Sequence, residues 1–100
     1  MWHPLVEVVE YRLLEGHQVW VKFDDGLERV IDFTPVLAGE LFGELRSLQQ
    51  FQKVTLNSEI GTLVWPNGAD FDPWTLHEWP HVVDELAARA QTWDTVAVAN

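Results

Sequence analysis

The stretch Gln18-Val19-Trp20-Val21-Lys22-Phe23-Asp24-Asp25-Gly26-Leu27-Glu28-Arg29-Val30-Ile31-Asp32-Phe33 decides the fold. Its first six residues alternate. Val19, Val21 and Phe23 fall on one side, and Gln18, Trp20 and Lys22 on the other, the period of a half-buried strand. Asp25-Gly26 then supplies the positive φ that a tight reversal needs. Leu27–Phe33 returns as a second strand, with Leu27, Ile31 and Phe33 on one face and Glu28, Val30 and Asp32 on the other. A hairpin of this kind is antiparallel.

Working outward toward the N-terminus, Leu5–Leu14 is rich in β-branched residues, and its alternation changes phase near Val9. A bulged strand is expected there, joined to Gln18 by a turn at Glu15-Gly16-His17. On the other side, Thr34-Pro35 stops the third strand, because Pro has no amide donor for a ladder. Leu37, Leu41, Leu45 and Leu48 recur at helical spacing, but Gly39 and Gly43 weaken the helix, so a short one over Glu40–Ser47 is predicted. Phe51–Leu56 and Ile60–Trp65 read as two further strands about a turn at Asn57-Ser58-Glu59. Asp72-Pro73 has the form of a helix start, an acidic cap followed by Pro at the first helical position. It opens a helix over Trp74–Glu78. A second helix runs from Pro80 to Gln91, with Val82, Val83, Leu86, Ala87 and Ala90 on one face. Thr92–Asn100 reads as a frayed tail in which only Val96-Ala97-Val98 could pair as an edge strand. The fold class is α+β, an antiparallel sheet in β-β-β-α-β-β order with short C-terminal helices. Residues 1–79 make the α+β unit, and residues 80–100 are a C-terminal helix and tail packed on it or extending from it. Trp20 and Val30 lie opposite the core face and await cover from the C-terminal helix or another subunit.

Composition excludes several functions. The 100 residues carry six Lys and Arg against sixteen Asp and Glu, a formal charge of −10, and no Cys. Disulfides, thiolate metal sites and Cys nucleophiles are thereby removed. Nucleic-acid affinity comes largely from Lys and Arg neutralising phosphates. The six cations here are scattered among carboxylates, so neither direct nucleic-acid binding nor an anionic membrane surface is expected. A basic partner is the easier one. Glu7 and Glu10 interrupt the first apolar stretch, which argues against a secretory signal. No apolar run approaches the roughly 18 residues a membrane span requires. A cytoplasmic protein is the expectation.

Catalytic patterns are sparse. His77-Glu78-Trp79-Pro80-His81 matches H-E-x-x-H, which needs two His one turn apart on a continuous helix. Pro80 removes a helical hydrogen bond and turns Trp79 away from helical dihedrals, so the two His are expected on different segments and no metal site is predicted. Asn67, Asp70 and Asp72 share one loop and could offer oxygen to a cation or small ligand. Asn67-Gly68 is also a turn pair, and Asp72 is already a cap. Neither Ser47 nor Ser58 sits in a nucleophile context. Trp74 and Trp79 complete the candidate ligand or partner loop: aromatic side chains anchor interfaces, although most serve the core. No catalytic residue and no cofactor is assigned.

Phe23-Asp24-Asp25-Gly26, Asp32, Pro35, Leu45, Phe51 and above all Trp65-Pro66-Asn67-Gly68-Ala69-Asp70-Phe71-Asp72-Pro73 resemble the small bacterial family called domain of unknown function 2442. The resemblance covers Val6 to Leu76. It implies an α+β domain with an antiparallel sheet and brings no enzymatic activity with it. Some members of the family are fused to a helix-turn-helix domain, for which too few helices follow Leu76 here. Others are encoded beside another small protein in an arrangement like a toxin–antitoxin pair. The expectation is a non-catalytic protein-interaction module, antitoxin-like or regulatory, with a protein partner. A homodimer is compatible with the sequence. The alternative is a small-ligand or cation-binding domain using the Asn67–Asp72 loop.

Overall fold

A computed structural model of the chain describes residues 5–99, with side chains described as far as residue 92. Three strands, β1 (Val8–Leu13), β2 (Gln18–Phe23) and β3 (Glu28–Asp32), form an antiparallel sheet in the order β1-β2-β3. The β2–β3 turn has the expected chemistry. Gly26 takes φ +91°, its amide donates to the Phe23 carbonyl at 2.9 Å, and the Phe23 amide donates to the Leu27 carbonyl at 2.9 Å. This is a three-residue loop closed by a glycine in the left-handed region. The phase change in β1 is a bulge: the register with β2 shifts between Val8 and Glu10, leaving Val9 unpaired.

The segment between the two sheets differs from expectation. In place of one helix over Glu40–Ser47 there are a 3-10 turn (Thr34–Val36), a helical turn α1 (Gly39–Phe42), a second 3-10 turn (Gly43–Arg46) and a separate turn α2 (Leu48–Phe51). Gly39 at φ +81° sets the start, Gly43 keeps helical dihedrals (φ −61°, ψ −31°) where the turn tightens to 3-10, and an extended Ser47 (ψ 118°) breaks what the leucine spacing alone would join. Phe51 therefore belongs to a helix and not to a strand. The last two strands are shorter than their apolar runs, β4 (Thr55–Asn57) and β5 (Thr62–Val64), and they form a ribbon of their own instead of extending the first sheet. The turn between them spans 58–61, and Gly61 at φ +69° closes it.

Asp72 caps α3 (Pro73–His77) by accepting the Thr75 amide at 3.3 Å. The final helix, α4, runs over Trp79–Ala99. It begins one residue before Pro80, whose missing N–H is harmless in a first turn. The predicted tail is a correction: residues 92–99 continue the helix instead of fraying or pairing as a strand. No Gly or Pro follows Pro80, and extending a formed helix is far easier than starting one, so nothing stops it at Gln91. Asn100 lies outside the described residues.

The core sits between the sheet and everything after it. Val19, Val21, Phe23 and Ile31 on the sheet's inner face are fully buried with Leu45, Leu63 and Leu76. Phe33 is the hub of an aromatic cluster, with ring centroids 5.3–5.7 Å from those of Phe51, Trp65, Phe71 and Trp79. The polar ends of buried groups are satisfied. The Trp65 indole donates to the Phe51 carbonyl at 2.8 Å, and the Thr62 hydroxyl donates to the Phe71 carbonyl at 2.6 Å. Burying such rings stabilises each by roughly 2 kcal/mol or more. Val83, Leu86 and Ala90 bring α4 onto the same core, where it packs against the first 3-10 turn and α1. Among the described residues no helix is long and apolar enough to cross a membrane.

Candidate interaction surface

With Val83, Leu86 and Ala90 of α4 turned to the inner side, no helix among the described residues covers the outer face of the sheet. Val30 is 56% exposed, so the cover expected from the C-terminal helix is absent. The register lines this face in rows: Arg12, Trp20 and Val30 across one, and Glu10, Lys22 and Glu28 across the next. The Arg12 guanidinium lies 5.1 Å from the Trp20 ring centre, and the Trp20 indole donates to Glu28 Oε1 at 3.0 Å. Opposite charges facing across strands and an aromatic beside a β-branched residue are both favourable cross-strand pairs. The face is thus ordered, half-apolar and open.

The ladder also fixes which backbone groups are in use. Phe23 donates to Leu27, and Phe33 donates to His17 at 3.0 Å. In an antiparallel pair, bonded and non-bonded residues alternate. Odd residues of β3 therefore bond to β2, and the N–H and C=O of Glu28, Val30 and Asp32 point away from it. On β2 the even residues serve β1, as the Leu14 amide donating to Gln18 at 2.9 Å shows. Among the described residues β3 has no strand neighbour on its outer side.

A clamp at one end holds this edge in place. His77, the last residue of α3, has Nε2 2.8 Å from Asp25 Oδ2 in the β2–β3 turn and Nδ1 2.7 Å from Glu78 Oε2. Trp74 stacks on its ring at 5.1 Å with an interplanar angle of 10°, and Phe23 meets it edge-on at 4.9 Å. Arg29 Nε of β3 donates to the His77 carbonyl at 2.9 Å. Burial by itself lowers the His77 pKa, but the hydrogen bonds to Asp25 and Glu78, with the charges of both, outweigh it and hold the pKa above the ordinary 6.5. A carboxylate at each ring nitrogen suits the imidazolium, which donates at both. The Leu27 amide first, and His77 second, hold Asp25 below its ordinary 3.8. The H-E-x-x-H residues are thus spent on structure: His77 closes α3, Glu78 links the helices, and His81 stands exposed in the first turn of α4.

The other candidates are placed as follows. The Asn67 amide donates to the Leu41 carbonyl at 3.0 Å and to Glu44 Oε2 at 3.3 Å, and its oxygen accepts from Ala69 at 3.0 Å. Asp70 bridges to Val64 through its backbone, and Asp72 is the cap of α3. Trp79 is buried against Phe33 and Phe71, and so belongs to the core and not to a partner surface. Trp74 is half-buried over His77. No group of three or more His, Asp or Glu among the described residues is arranged to hold a metal ion. An open cleft of about 440 Å³ lies beside Trp74, with Leu5 and Ile60 on its walls and the carboxylates of Glu7, Asp24 and Asp72 around it. The loop from Asn67 to Asp72 was legible as polar, but not the β3 edge. The signal for the edge was the Glu28-x-Val30-x-Asp32 alternation, which a covered strand would share.

The fold and this surface define a small α+β domain whose three-stranded antiparallel sheet packs its inner face on the core and, among the described residues, leaves Val30 of its outer face exposed. The sequence model of the family described as "Protein of unknown function (DUF2442)" matches residues 8–81, and the chain belongs to that family. No curated protein and no solved structure matches the chain.

Proposed function

We propose that this chain is a non-catalytic protein-interaction module, antitoxin-like or regulatory, that works by presenting the outer face of its three-stranded sheet to a protein partner. The observation that carries this reading is the uncovered Arg12–Trp20–Val30 row, with Val30 more than half exposed on an edge strand. An ordered apolar strip rimmed by charges is the composition of a small recognition surface. Several carboxylates serve the fold, Asp25 and Glu78 with His77 and Asp72 with the cap of α3. The acidic charge of the chain favours a basic partner.

The test compares quantitative affinity capture from the native host by the wild-type chain and by Val30→Lys, a surface change that keeps the core. One protein enriched by the wild type and lost with the variant supports the reading. Identical captures by the two chains would overturn it.

A further inference from the structure

We infer that the β3 edge takes up an extended segment of a partner protein as a fourth strand, and that this segment carries Lys or Arg two residues either side of an apolar residue. The inference rests on the interaction-module reading and specifies its mode.

Backbone polarity comes first. The N–H and C=O groups of Glu28, Val30 and Asp32 face outward, and none bonds to another part of the described chain. Unpaired groups in this spacing are the template for strand addition, in which backbone bonds give affinity and alternate side chains give specificity. The other edge is a shorter template, with only Tyr11 and Leu13 turning backbone groups outward beyond its bulge. There the Val8 amide donates to Gly61 at 2.8 Å, the Tyr11 hydroxyl donates to the Val54 carbonyl at 3.4 Å, and the bulge at Val9 breaks the register.

Side-chain charge then selects the occupant. Val30 is the centre of the edge, with Glu28 and Asp32 exposed on either side of it on the same face. Each keeps one carboxylate oxygen clear of its partner in the chain: Glu28 Oε1 takes the Trp20 indole, and Asp32 Oδ1 takes the Thr34 amide at 3.0 Å. A second copy pairing antiparallel about Val30 would set Glu28 directly opposite Asp32 twice. Like charges directly opposite destabilise a pair. The same geometry places two cations of a basic–apolar–basic segment against the two carboxylates and its apolar residue against Val30 and Trp20. Arg29, the cation within β3, is turned inward to the His77 carbonyl and does not repel such a strand. Anchorage of the turn through Asp25 and of the strand through Arg29 lets the edge receive a partner with little ordering cost.

The test uses the full ¹⁵N-labelled chain and two capped seven-residue peptides, T-K-T-V-T-K-T and T-E-T-V-T-E-T. The expected result is slowed amide exchange at Glu28, Val30 and Asp32 with the basic peptide. It should bind about tenfold tighter than the acidic one, a difference of ~1.4 kcal/mol. Glu28→Lys combined with Asp32→Lys, which leaves the ladder intact, should reverse the preference. Val30→Pro, which removes one outward N–H, should abolish both. Unchanged exchange at these amides under saturating basic peptide would overturn the inference, as would equal binding of the two peptides. Protection that appears without peptide and grows with protein concentration would also overturn it, in favour of a second copy. Perturbation of the Trp20 indole alone would overturn strand addition while leaving the outer face as a binding surface. The Val30→Lys capture judges the interaction-module reading separately.

Discussion

The two edges of the three-stranded sheet are built from similar β-branched sequence and end in opposite states. β1 is bulged at Val9, tied to the β4–β5 turn through Gly61, and its own Tyr11 hydroxyl donates to the Val54 carbonyl. β3 is regular over five residues, pinned at its turn by His77, and otherwise open. An unmanaged edge invites aggregation, and a bulge or an adjoining element is one way to close it. On β3 the management is electrostatic. Glu28 and Asp32 flank the exposed Val30 on the same face, and charged side chains on an edge strand are another such device.

The largest effect expected comes from proline placed at adjacent positions of β3. Ile31→Pro removes a ladder donor and a fully buried side chain, and should cost about 4 kcal/mol or more, enough to unfold a small domain. Val30→Pro should cost only about 1 kcal/mol, because its N–H faces outward on an edge. Urea titrations of the two variants check this, and equal losses would mean the edge is not where the ladder puts it.

Gly61→Ala addresses the closed edge. Gly61 has φ +69°, and a Cβ there would lie 2.7 Å from Glu7 Cγ. Left-handed strain of roughly 1–2 kcal/mol, together with the forced movement of Glu7, should lower stability by about 2–3 kcal/mol. Amide exchange should show β1 loosening from the ribbon while β2–β3 stays protected.

His77→Ala should cost about 2 kcal/mol at pH 6, the scale of hydrogen bonds to charged groups. The folded pKa of His77 is raised, so the folded state holds the proton more tightly than the unfolded chain does. The stability this contributes is fully present below about 6.5 and is lost as pH rises through the higher folded value. Asp25 works at the other end: its folded pKa is lowered, so its contribution is present above about 3.8 and is lost as pH falls through the lower folded value. Urea midpoints of the wild type should therefore fall between pH 6 and pH 9, and the gap to His77→Ala should narrow over the same range. A constant gap would mean that the clamp is packing and not charge.

Val30→Thr should be the mildest change, within about 0.5 kcal/mol, as for a surface position without special contacts. A larger loss would reveal cover over the β3 edge.

Legibility followed the range of the forces involved. The hairpin, the bulge near Val9 and the Asp72 cap are local, and strand alternation, Asp25-Gly26 and Asp72-Pro73 carried them at the right places. The segment from Glu40 to Phe51 was less legible, because leucine spacing survives a broken helix while the extended Ser47 sets where it breaks. Trp79 could not be assigned to core or surface from its neighbours, since a ring beside Pro80 can face either way. Contact with Phe33, 46 positions earlier in the chain, puts it inside. The Asp25–His77 clamp was invisible for the same reason, joining a turn to a helix end 52 residues apart.

The sequence by itself determined the α+β class, the antiparallel hairpin, the inner faces of β2 and β3, the acidic charge and the family to which the chain is similar. Those features depend on periodicity, dihedral preference and composition, which act over a few residues or over the whole chain at once. Only the tertiary structure decided that the last two strands form a separate ribbon, that α4 continues to Ala99 and packs its Val83, Leu86 and Ala90 on the inner side, and that Val30 is left exposed with Trp20 half-buried beside it. Those outcomes depend on which apolar faces meet first in three dimensions. Phe33, Trp65, Phe71 and Trp79 meet on the inner side from separate stretches of the chain, and Val83, Leu86 and Ala90 turn the described part of α4 onto that same core.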